Sequence, residues 1–171
     1  MKQVCLDTQV LIWGIQRVSR PSQAKMVQKA VAFLEDMGSK KVRCVIPSLV
    51  VAEFLVRLSA ETRIRVLAEM QKNFHIAPFD LPAAVKYAEL CDGGSTQADG
   101  NGNETREKMK VDRMIVALAE VSKADCLYSH DPHVMKVAKG RIDCREIPEI
   151  EQQLGLSLAE SPEQPPPPEK T

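Results

Sequence analysis

Five short apolar runs, each too brief for a helix and separated by stretches of helical periodicity, set the strongest limit on what this chain can fold into. The runs are Gln3 to Leu6, Val42 to Ile46, Phe74 to Pro78, Ala124 to Ser129 and, more weakly, Asp143 to Ile147. Runs of this length suit strands buried in a sheet. Between them, Val10, Leu11 and Ile15 share one face of a first helix, and Met26, Val27, Ala30, Val31 and Leu34 repeat at helical spacing after Pro21, with Gly38 as the stop. Ser48 is placed to cap a helix over Leu49 to Ser59. Thr62 to Asn73 forms another, and Asp80 with Pro82 opens Ala83 to Cys91. A helix from about Thr105 to Lys123 follows, and Asp131-Pro132 begins a last short one. The alternation predicts an α/β sandwich with a mostly parallel central sheet. Right-handed crossovers then bring all the strand C-terminal ends, and the helix starts that follow them, to one edge.

At 171 residues the chain suits one domain, able to bury roughly 70% of its unfolded surface without disulfides or structural metal. Residues 1–150 carry the periodic pattern. The DGGSTQADGNGNE stretch at about 92–104 lacks apolar periodicity and reads as a flexible loop, and the proline-rich 151–171 segment as a disordered tail. Lys plus Arg and Asp plus Glu both number 23, so no global charge draws the chain to nucleic acid or to an anionic membrane, and any polyanion contact must be local. Five cysteines without a CxxC pair read as buried thiols in a reducing compartment. No signal peptide and no apolar stretch of roughly 18 residues or more is present, which predicts a cytoplasmic protein with no membrane partner.

Four acids interrupt this pattern. Asp7 directly follows Val4-Cys5-Leu6, Asp131 follows the fourth run, Glu53 lies one turn into its helix beside Leu49, Val50 and Val56, and Asp112 shares a face with Ile115, Val116 and Ala119. Each has an ordinary explanation. Asp7 and Asp131 can cap helices, Glu53 can pair with Arg57, and Asp112 can be a solvated acid of a first turn. Taken together, all four point to the C-terminal sheet edge, where isolated charges are costly unless paired or bound to a cation. A cluster of hard oxygen donors partly open to water suits Mg2+ or Mn2+, one ion or two, which can acidify a bound water and stabilise the leaving oxygen of a phosphodiester.

These residues resemble a known family. VCLDTQVLIW is similar to the strand-then-Asp opening of PIN-domain nucleases, PSLVVAEFL resembles their internal Glu helix, and KMKVDRMIVALAEVSKADCLYSHD their third-acid helix and a final strand ending in Ser/Thr-x-Asp. The match spans about residues 3 to 146. It implies a three-layer α/β/α fold with a central, mostly parallel five-stranded sheet, and a metal-dependent endoribonuclease like the VapC-type toxins of toxin-antitoxin pairs. Carried over position by position, it makes Asp7, Glu53, Asp112 and Asp131 the catalytic metal ligands, with Thr8 and Ser129 as hydroxyls that orient carboxylates or water. The chain departs from the family pattern at Gln9, where Asn is most frequent, and at His133, where many members have a further acid.

Of the basic residues near this edge, Arg57, Lys108, Lys110, Arg113 and Lys136, we single out Lys110 and Arg113 as phosphate-binding candidates. His130 and His133 read as surface histidines before phosphate contacts or zinc ligands, and Trp13 as a core or interface anchor before a base-stacking platform. Apolar residues between Pro21 and Asn73, among them Phe33, Leu34, Leu55, Leu58 and Leu67, suit core packing first, and otherwise a self-association face or an antitoxin groove. The leading expectation is a ribonuclease with RNA as substrate and an antitoxin or a second copy of the chain as candidate partners. The alternative is a catalytically weak PIN-like module that binds RNA or a protein without cutting. A phosphatase of the haloacid dehalogenase type is disfavoured because Gln9 stands where its second Asp belongs.

Overall fold

The computed structural model describes residues 2–92 and 102–150, and for residues 102–107 the backbone alone. The interior of the loop expected at 92–104, and the 151–171 tail, lie outside the described residues.

Five strands, β1 (Gln3–Leu6), β2 (Arg43–Pro47), β3 (His75–Ala77), β4 (Cys126–Tyr128) and β5 (Cys144–Arg145), form one sheet in the order β3-β2-β1-β4-β5. Every pairing is parallel. All five lie within the apolar runs or one residue beyond them. Among the described residues, seven α-helices accompany them: α1 (Thr8–Leu11), α2 (Ala24–Ser39), α3 (Ser48–Val56), α4 (Ala60–Asn73), α5 (Leu81–Asp92), α6 (Gly102–Val121) and α7 (Pro132–Ala138). From β1 to β2 to β3 the chain moves one way across the sheet. From β3 to β4 to β5 it moves back the other way, so right-handed crossovers put α1–α4 on one face and α5–α7 on the other. The result is a three-layer α/β/α fold.

Register explains the core. Cys5 stands opposite both Val45 and Leu127, whereas Leu6 stands opposite Tyr128, whose ring meets Phe33 of α2 edge-on at 4.6 Å. Because successive side chains alternate between faces, Cys5, Val45 and Leu127 turn toward α6, and Val4, Leu6 and Tyr128 toward α2. Phe33 is fully buried, and Leu34, Leu55, Leu58 and Leu67 pack partly buried against the core, so this apolar surface is spent mostly on packing. Val56 and Ile64 remain more than three-quarters exposed. All five cysteines are free. Burial pushes the Cys44 and Cys126 thiols up to about 11, away from reactive thiolates. Among the described residues no helix is long and apolar enough to cross a membrane.

Several local expectations are corrected. α1 lasts only one turn and continues as a π-helical turn over Ile12–Gln16, closed by Arg17 in the left-handed region at φ 58°. Gly38 does not stop α2. The helix runs through it, and Lys41 at φ 53° ends it, with Val42 N–H reaching back to the Met37 carbonyl at 2.9 Å. Ser48 is the first residue of α3, not its cap, and its hydroxyl accepts from Phe79 N–H at 3.2 Å. α3 closes at Val56, which frees Ser59 to cap α4 through Thr62 N–H. α6 starts at Gly102, earlier than Thr105.

Two glycines separate space from helix propensity. A Cβ on Gly14 would lie 2.5 Å from Leu34 Cδ1 and 3.4 Å from the Ala30 carbonyl oxygen, so the π-helical turn presses on α2 only because that side chain is missing. A Cβ on Gly38 would meet nothing within 4 Å. Gly14→Val is therefore expected to destabilise by about 1–3 kcal/mol through overpacking, and Gly38→Ala to stabilise by roughly 0.5–1 kcal/mol through helix propensity. Urea denaturation of the two variants checks both signs.

Candidate active site

The change in crossover direction between β1 and β4 opens a crevice at their C-terminal ends, the usual place for a ligand in an open parallel sheet. Asp7 sits at its floor. Its backbone N–H continues the ladder to the Tyr128 carbonyl at 3.1 Å, which fixes it to the sheet edge. Its side chain caps α1 by accepting from Thr8 N–H at 2.7 Å, while its second oxygen accepts from Ser129 Oγ at 2.5 Å. Ser129 also accepts from Asp131 N–H at 3.0 Å. One hydroxyl thus ties the first acid to the last.

Asp131 caps α7 through His133 N–H at 2.9 Å, and its other oxygen meets Lys108 Nζ at 2.8 Å. Asp112 is 4% exposed, packed on the apolar face of α6 with Ile115, Val116 and Ala119, and its Oδ2 is buried without a hydrogen-bond partner. Glu53 corrects an expectation. It is exposed, as is Val56, and the buried face of α3 is Val50, Val51 and Phe54. Glu53 reaches the crevice by accepting from Thr8 Oγ1 at 2.5 Å, and not by pairing with Arg57.

The four acids act on one another. Burial raises the Asp7 pKa above the usual carboxylate range; bonds from Ser129 and Thr8 oppose the rise, and the charges of Glu53 and Asp131 add to it. Burial pushes the Asp112 carboxyl up to about 7, with Asp131, Asp7 and Glu53 contributing and Lys108 opposing. At Asp131 burial works upward too, but Lys108 and His133 N–H outweigh it and the pKa falls. The Asp131 hydrogen bond holds Lys108 above its ordinary value, assisted by the fields of Asp112 and Asp7.

Lys108 is the cation that the sequence reading passed over. The signal was available: it stands four residues before Asp112, on the same helical face, whereas Lys110 and Arg113 are turned away by about 200° and 100°. Lys110 is exposed, and the charge of half-buried Arg113 acts on Tyr87 of α5. His130 is no plain surface residue. Its Nε2 accepts from Ile147 N–H at 3.1 Å, and its ring meets Trp13 edge-on at 5.0 Å. Trp13 is buried in the core at 3% exposure, while His133 is exposed.

Among the described residues no three His, Cys, Asp or Glu side chains close around a point where a cation would sit. The donor chemistry nevertheless fits a hard divalent ion. The available groups are all carboxylate oxygens, they repel one another, and the buried Asp112 Oδ2 has no proton donor to satisfy it.

The fold has solved counterparts. VapBC2 from Rickettsia felis bound to a promoter DNA fragment aligns with a TM-score of 0.59 at 18% identity, over 84% of this chain and 98% of that one. DNA-bound VapBC from Salmonella typhimurium gives 0.59 at 16% identity, over 85% and 98%. A toxin-antitoxin complex from Klebsiella pneumoniae gives 0.56 at 14% identity, over 86% and 99%. No curated protein matches the chain. The PIN domain family model matches residues 4–140, the span that carries all four acids, and the chain therefore belongs to the PIN domain family.

Proposed function

We propose that this chain is a Mg2+- or Mn2+-dependent endoribonuclease that hydrolyses RNA phosphodiester bonds with metal-activated water. The observation that carries the reading is the partnerless, buried Asp112 Oδ2 in a neighbourhood of three further acids. Asp7, Glu53, Asp112 and Asp131 would hold one or two ions. The ion, when bound, supplies a more acidic water and counter-charge for the phosphodiester. Ser129 and Thr8 N–H keep both Asp7 oxygens aimed, Thr8 Oγ1 holds Glu53 toward the crevice, and Lys110 and Arg113, on other faces of α6, would contact an RNA backbone beyond the crevice itself. Residues 1–150 form the nuclease unit, with 151–171 appended. Five free cysteines suit the cytoplasm.

We also propose that the protein is the toxin of a toxin-antitoxin pair. The solved counterparts of its fold include VapBC proteins and a toxin-antitoxin complex. The exposed Val56 and Ile64 offer an antitoxin, or a second copy, apolar surface to cover.

Cleavage of single-stranded and structured RNA with Mn2+ tests the activity. Asp7→Asn and Asp112→Asn should each lower the rate by at least about a hundredfold, and chelator should abolish it. Millimolar Mn2+ should also raise the melting temperature of the wild type, since an ion that binds only the native state adds about 2.7 kcal/mol at a hundred times its Kd. Neither cleavage nor a melting shift would favour the PIN-like module that binds without cutting.

Asp112 gives a pH signature in the metal-free protein. Its folded-state pKa of about 7 lies above the unfolded value of roughly 3.9. Between those values the native state keeps a proton that the unfolded chain has released, so stability falls as pH rises through the window and levels off above it. Asp112→Asn lacks this loss and should be more stable than wild type at pH 8 by up to about 4 kcal/mol, with a smaller difference at pH 4. Urea titrations in chelator at the two pH values measure it, and parallel wild-type and variant profiles would contradict it.

A further inference from the structure

We infer that Lys108 is a positioning residue, a built-in cation that occupies Asp131 and leaves the crevice with room for one divalent ion, at its Asp7 and Asp112 side. The inference rests on the metal-dependent reading above and specifies how the acids divide their work.

The division follows from how each carboxylate is engaged. Asp131 accepts one bond at each oxygen, Oδ1 from His133 N–H at 2.9 Å and Oδ2 from Lys108 Nζ at 2.8 Å, and the second partner is a cation. Asp7 also accepts one bond at each oxygen, but from the neutral donors Thr8 N–H and Ser129 Oγ. Asp112 Oδ2 is buried and accepts nothing. Among the described residues, Asp7 and Asp112 therefore have no ammonium bonded to them, whereas the charge of Asp131 is already offset by Lys108. Two ions about 3.5–4 Å apart would need donors on both sides of the crevice. On the Asp131 side the second position is filled by an ammonium, and the neighbouring His133 offers no carboxylate.

The pairing is anchored at both ends. Lys108 projects from the helical face that carries Asp112 four residues later, and Asp131 is fixed as the cap of α7, which packs against α6. A half-exposed ion pair is weak in isolation. Here the same ammonium also lies in the fields of Asp112 and Asp7, so one positive charge relieves repulsion across the acid cluster. It opposes a second divalent ion for the same reason.

Calorimetric Mn2+ titration of wild type, Lys108→Met and Lys108→Arg, read beside RNA cleavage, tests this. Wild type and Lys108→Arg should bind one equivalent. Lys108→Met should bind a second and hold the first about tenfold more tightly, for want of the opposing charge. A purely structural salt bridge would lower the melting temperature of Lys108→Met and leave the Mn2+ count unchanged, which overturns the inference. Two equivalents in wild type overturn it as well. One ion in wild type and two in Lys108→Met without cleavage of any RNA would uphold the lysine's role and overturn the ribonuclease reading. No Mn2+ bound by any of the three proteins overturns both.

Discussion

Asp7 and Ser129 are 122 residues apart, yet the bond between them joins the ends of the two central strands. It exists because β1 and β4 pair directly, with Leu6 opposite Tyr128, so the residues that follow each strand leave the sheet side by side. The pairing also places the reversal of crossover direction at this position, the usual place for a ligand in an open parallel sheet. α1 and α7 both start from this joint, and each takes its cap from an acid of the crevice. A change in β1–β4 register would move Asp7 away from Ser129 and, since side chains alternate, would turn Leu6 and Tyr128 out of the core layer they share.

The acids therefore serve two needs that usually conflict. Asp7 and Asp131 satisfy backbone N–H groups at helix starts, an ordinary stabilising task. Asp112 serves no such purpose. A buried oxygen without a partner costs about 1–3 kcal/mol, and like charges nearby add to that. The cost is carried by the rest of α6, where Ile115, Val116, Ala117, Leu118 and Ala119 are all buried. A helix anchored this firmly can hold one unfavourable group in place.

The strands were legible because each lies in a short apolar run bounded by polar or turn-forming residues, and the acids because each broke the surrounding pattern. What escaped the sequence was decided by tertiary contacts. Glu53 looked aligned with an apolar face because Leu49, Val50 and Val56 flank it, but Val56 is exposed, and Thr8, 45 residues away, is what draws the carboxylate inward. Ser48 had the composition of a cap, yet its hydroxyl went to Phe79 N–H in the strand-to-helix connection that follows β3. The π-helical turn after α1 depends on the close approach of Gly14 to Leu34, which no local pattern encodes. Lys108 differs from these. Its position relative to Asp112, four residues on along the same helical face, could be read from helical spacing.

The charge distribution bears on how a chain with no net charge could hold a polyanion. The crevice concentrates four acids, and the cation facing them is committed to one of them, so its own field repels phosphate. On the proposed reading, an RNA strand gains access only once a divalent ion has offset the acids, and the basic groups on the outer turns of α6 act on a backbone that the ion has already admitted. Metal and substrate would then bind cooperatively, since each reduces the electrostatic penalty met by the other. Such coupling would keep the metal-free crevice closed to polyanions through the excess of carboxylate over ammonium at the joint of β1 and β4.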